Sequence, residues 1–171
     1  MYNKYYYLVA SLPHLAFGEK SPISREGFSR ECRKWLEPVD LEMVLGVDIG
    51  EPAIQDTDRP IVRTWKEFDM RFRALLAEYR GSGPHALKRA MPELIKLVFD
   101  ETDPLRRERR IEKIRWKFLE GEEYKHPFDA AWLVLYCLKL QILERVSRFD
   151  HDVGLKKFTE LCEVKHAEEN G

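Results

Sequence analysis

The stretch "AAWLVLYCLKLQILERVSRF", residues 130–149, constrains the fold more than any other part of this chain. With Trp132 at zero on a helical wheel, Leu135, Tyr136, Ile142, Leu143 and Val146 fall within about 80° either side. Gln141, Glu144, Arg145 and Arg148 cluster on the opposite side. Before Lys139 the helix is apolar all round, which predicts that this half lies deep in a core built by other helices. Lys139 itself sits within the apolar stripe. A fully buried, unpaired ammonium costs several kcal/mol. Its stem therefore lies along the core while the head reaches water, the preferred reading, or else a carboxylate meets it. A catalytic lysine would need a pocket that the sequence does not reveal.

Further helices are legible from the same periodicity. Ser24 is placed to cap a helix over 25–36, with Phe28, Cys32, Trp35 and Leu36 on one face. Pro38 and Asp40 open a short helix that Gly46 stops, with Asp40 as its cap. In "TWKEFDMRFRALLAEYRGSG", Trp65, Phe68, Phe72, Leu75, Leu76 and Tyr79 span about 100° of the wheel. Thr64 and Glu67 have the spacing of a capping box, and Gly81 and Gly83 end the helix. "HALKRAMPELIKLVFDE" reads as helical but broken near Met91 by Pro92. Pro104 opens a helix to about residue 120, and His126-Pro127 separates it from one over 128–148. Leu155, Phe158, Leu161 and Cys162 suggest a last, shorter helix. The opening "KYYYLVASLP" is compatible with strand or helix, with its tyrosines and valine favouring strand. The expected fold is mainly α, a compact multi-helix bundle over 1–171 with a short N-terminal strand as an option. The Gly- and Pro-rich loop 46–63 is the best candidate for a sub-boundary.

Charge narrows the function. Charged residues make up 35% of the 171 residues, yet 29 basic side chains balance 30 acidic ones to a formal −1. A general nucleic-acid binder is usually clearly basic. Cys32, Cys137 and Cys162 are widely spaced and form no C-x-x-C pair, which suits free, buried thiols in a reducing cytoplasm. The N-terminal apolar run ends at Pro13, far short of the roughly 20 residues of a membrane span, and lacks a signal-peptide cleavage pattern. The expectation is a cytoplasmic protein.

Chemistry finds little support. Glu123 and His126, and Cys162 and His166, each offer two metal ligands, whereas zinc takes three or four. "DTD" at 56–58 and "DHD" at 150–152 lack the Gly and Glu of a calcium loop. No phosphate-loop, dinucleotide or nucleophile-elbow pattern occurs. No catalytic residue, metal or cofactor is expected. The strongest remaining feature is "RRERRIEKIRWK", 106–117, with seven basic residues in twelve. Arg106, Arg110, Lys113 and Lys117 align within about 60° on a helix. Ile111, Ile114 and Phe118 form an apolar strip beside this ridge, and Leu105, Trp116 and Leu119 another on its far side. The ridge is either a solvated face with intrahelical Glu–Arg pairs or a dock for an acidic partner. A nucleic-acid-associated protein using this ridge is the alternative.

"KYYYLVASLP", "WKEFDMRFRALLAEYR" and "HPFDAAWLVLYCLKLQILERVSRFD" together resemble a small bacterial family of unknown function encoded within V-type (V/A-type) ATP synthase operons. The motif of Lys139, Leu140, Gln141, Leu143, Glu144 and Arg145 carries the resemblance most specifically. It implies a non-catalytic component of the rotary ATPase, counterpart of the central-stalk C subunit (d in eukaryotes), which joins the shaft to the membrane rotor ring. Such a protein is cytoplasmic and peripheral to the inner membrane through its complex. The chain is much shorter than that subunit, so an accessory or assembly factor is the competing reading. On either, Arg106, Arg110, Lys113, Lys117, Lys139 and Arg145 are candidate contacts with other ATPase subunits, with no small-molecule substrate.

Overall fold

A computed structural model describes residues 5–82 and 93–149. Among them are seven helices and no strand: α1 (Tyr6–Ser11), α2 (Arg25–Trp35), α3 (Pro38–Gly46), α4 (Pro60–Ser82), α5 (Glu93–Phe99), α6 (Pro104–Glu123) and α7 (Ala130–Arg148). The predicted helix over 155–162 and the "DHD" sequence lie outside the described residues.

Helix α7 is the axis of the bundle. Asp129 caps it, its carboxylate accepting from the Trp132 N–H at 2.9 Å. Every residue from Leu133 to Leu143 is buried, because α2, α3, α4 and α6 all pack on it. Gln141, which the wheel groups with Glu144, Arg145 and Arg148, is buried with the apolar residues. Its carboxamide donates to the Val47 carbonyl at 2.8 Å and accepts from the Ile49 N–H at 2.9 Å. A buried amide thus pins the loop after α3 to the central helix, satisfying groups that burial would otherwise leave unpaired.

Three expectations change. The N-terminal segment is a helix, not a strand. Six residues are too few to hold a helix alone. Here α1 packs on α2, Leu8 and Val9 are buried, and Tyr5 donates its N–H to the Phe128 carbonyl at 3.2 Å and its hydroxyl to Asp40 at 2.5 Å. Asp40 therefore does not cap α3, which starts on Pro38 after Glu37. Helix α4 begins four residues before Thr64, whose hydroxyl donates back to the Pro60 carbonyl at 2.9 Å and so lies inside the helix instead of capping it. Ser24 caps α2 as expected, accepting from the Gly27 N–H at 3.0 Å.

Two apolar clusters result. The larger gathers α7 with Phe28 and Cys32 of α2, Val44 of α3, Trp65 of α4 and Trp116 and Leu119 of α6. The smaller joins Phe72 and Leu76 of α4, Ile95 and Val98 of α5 and Ile111 of α6. Phe68 packs against both, stacked on Phe118 with ring centroids 3.8 Å apart. Ion pairs fix the directions of the helices. Asp69–Arg115 and Arg80–Glu108 run α4 antiparallel to α6; Glu123–Lys139 and Glu112–Arg145 run α6 antiparallel to α7. No helix of the described residues is long and apolar enough to cross a membrane.

Candidate functional site

Lys139 projects from α7 toward the last turns of α6. Its ammonium lies 2.8 Å from Glu123 Oε2 and 4.7 Å from the centre of the Trp116 ring. The lysine side chain is only 6% exposed and Glu123 19%. The preferred expectation, a head reaching water, is therefore corrected: a carboxylate meets it where two helices cross. Burying the stem on Trp116 removes the head from solvent, and Glu123 and the ring quadrupole replace that hydration. Trp116 donates its indole N–H to Glu120 at 2.8 Å, and Lys117 pairs with the same carboxylate at 3.1 Å. Burial raises the Glu120 pKa, but the Trp116 hydrogen bond and the two lysines outweigh it and hold the group below the usual range.

Above this pair opens a cleft of about 660 Å³, walled by Val9, His14, Phe128 and Trp132, with Lys117 and Lys139 among its lining. His126, the partner of Glu123 in the E-x-x-H spacing, turns instead to Asp129, with Nδ1 3.3 Å from its carboxylate. Among the described residues no group of three or more His, Cys, Asp or Glu side chains is placed to hold a metal. Lys139→Met should lower stability by about 1–3 kcal/mol, because Glu123, 19% exposed, is left without its cation. Adding Glu123→Met should recover most of the loss, since both charges then go together. Urea denaturation of the two variants measures this. Partner binding lost from a folded Lys139→Met chain would give the lysine a docking role.

The basic ridge is exposed along α6, but most of its charges have local partners. Arg106 lies 3.6 Å from Asp103, and Arg110 lies 2.9 Å from Glu101 and also donates to the Leu97 carbonyl. Lys117 meets Glu120; Lys113 is exposed. The structure brings Lys117 and Lys139 to one cleft. Arg106 and Arg110 lie toward the other end of α6, and Arg145 joins a separate network.

That network escaped the sequence reading. Asp69, Glu112 and Arg115 are buried at the seam between the two apolar clusters. Arg115 Nε donates to Asp69 at 2.8 Å and its Nη1 to Glu112 at 2.7 Å. Arg73 pairs with Asp69 at 2.6 Å and also donates to the Ile49 carbonyl at 3.1 Å. Arg145 Nε lies 3.6 Å from Glu112. Burial pushes the Glu112 pKa up despite the two arginines, and its Oε2 has no hydrogen-bond partner among the described residues. The group ties α4, α6 and α7 together. Lys66 makes a similar tie, meeting both Asp58 oxygens at 3.0 Å, so the second aspartate of "DTD" anchors the loop before α4.

Cys32 and Cys137 are free and buried, and burial pushes the Cys32 thiol up to about 12, too weakly acidic for a nucleophile. Cys162, His85, His151 and His166 lie outside the described residues. The fold and site define an all-helical bundle with ion pairs between its helices and an aromatic, ionic cleft at one end. A family model described as "Protein of unknown function (DUF2764)" matches residues 85–168, a little under half of the chain, including α5, α6 and α7. No curated protein and no solved structure matches the chain.

Proposed function

We propose that this protein is a non-catalytic subunit or accessory factor of a V-type (V/A-type) rotary ATPase, acting between the soluble stalk and the membrane rotor. The observation that carries this reading is the resemblance of "HPFDAAWLVLYCLKLQILERVSRFD" and the opening "KYYYLVASLP" to a family encoded with that complex. The architecture supports it. A part that transmits torque must resist shear between its helices. Here α4, α6 and α7 are cross-linked by buried and half-buried ion pairs that a sliding helix would have to break. The wall of the bundle keeps exposed cations for neighbouring chains.

The test is deletion of the gene in a host that runs such an ATPase. Membrane vesicles should then show ATP-driven ion pumping reduced severalfold, by loss either of assembly or of coupling. Unchanged assembly and unchanged pumping would refute the proposal.

A further inference from the structure

We propose that the cleft between α1 and the α6–α7 turn docks a segment of a partner protein that presents apolar side chains flanked by carboxylates. Three observations meet there. The first is aromatic exposure: Tyr124, in the cleft lining, is 90% exposed, and Tyr6 and Tyr7 of α1 are 46% and 74% exposed. Tyr6 touches Phe128 at 4.8 Å and Tyr7 at 5.6 Å, so the rings continue into the cleft wall. Burial is the dominant use of such rings, and a contiguous exposed set marks an interaction surface. Tyrosine and tryptophan also contribute most, residue for residue, when interfaces form.

The second is backbone strain. Phe128 holds φ at 59°, the left-handed region that a bulky side chain seldom enters. Its carbonyl accepts from the Tyr5 N–H, which ties this strained turn to the start of α1, and Phe128 lines the cleft. Strain of this kind gathers at binding surfaces.

The third is the sorting of charge. Two ion pairs near the α6–α7 turn hold the cation further out than the carboxylate, whereas the Lys139–Glu123 pair within the cleft runs the other way, 6% exposed against 19%. Lys117 is 69% exposed against 37% for Glu120, and Lys125 is 65% against 13% for Glu122. A partner approaching the aromatic rings therefore meets ammonium groups first. An acidic flank is attracted and a basic one repelled. The surface does not require that the partner belong to a rotary ATPase.

A photo-crosslinking phenylalanine placed at Tyr124 of the full chain, expressed in its native host, tests this, with the same group at exposed Lys34 of α2 as control. The expected result is one discrete adduct from position 124 and none from position 34. Its crosslinked peptide, sequenced by mass spectrometry, should carry apolar residues between Asp or Glu. Lys117→Glu with Lys125→Glu should cut the adduct about tenfold, as loss of 1.4 kcal/mol of attraction requires. Circular dichroism should show that variant folded. No adduct, an adduct to a second copy of this chain, a basic crosslinked peptide, or a yield unmoved by the charge reversal would each overturn the proposal.

Discussion

Arg115→Ala should destabilise the protein by about 3–5 kcal/mol, the cost of breaking a buried ion pair from one side. The substitution strands two carboxylates at once. Asp69 keeps Arg73, which is half-buried, and Glu112 keeps only Arg145 at 3.6 Å. A typical domain has about 5–15 kcal/mol in total, so the variant stands near the edge of folding. Arg115→Lys should recover little. One ammonium does not reproduce a planar fork that gives Nε to one carboxylate and Nη1 to another. The triple variant Asp69→Leu, Glu112→Met, Arg115→Met should fall far closer to the parent, because an apolar set leaves no charge uncompensated. Urea denaturation of the three decides the matter. An Arg115→Ala cost below about 1 kcal/mol, the range of exposed pairs, would mean that the network carries no structural burden.

Trp116→Ala should cost a similar amount, about 3–5 kcal/mol, for a different reason. The ring is fully buried in the larger cluster, and its loss leaves a cavity between α6 and α7. It also removes the edge contact with Phe17 at 5.6 Å and the surface on which the Lys139 ammonium rests. Trp116→Phe keeps most of the apolar area and loses the indole N–H that binds Glu120. Its cost should stay near 1.5–3 kcal/mol, roughly the range for a hydrogen bond lost from a charged partner. Equal costs for the two variants would show that the hydrogen bond, not packing, holds this site.

Much of this architecture was legible because its signals are local. Ser24 caps, Pro104 opens and the apolar face of α7 buries, each through residues within a turn or two of one another. Lys139 announced itself by breaking a stripe. What the stripe does not encode is which neighbour answers it, since Glu123 lies sixteen positions away on another helix. Arg115 and Glu112 were missed for a related reason. On the wheel of α6 Arg115 falls in the gap between the Ile111 strip and the Trp116 strip, and Glu112 falls inside the Trp116 strip. Two apolar strips flanking a charged line look like two faces, but they are one face with a polar centre. On α4, Asp69 sits between Trp65 and Phe72 in the same way, and that interruption was available to be read. The helical α1 is held by a contact of Tyr5 with Asp40, thirty-five positions away, that no local window of sequence contains.

The proposed place in a rotary ATPase is tested most directly by affinity purification of the tagged full chain from a native host shown to express the complex. The account predicts that stalk and rotor subunits come down with it from mildly solubilised membranes. A tagged, folded chain that brings down none of them would contradict it.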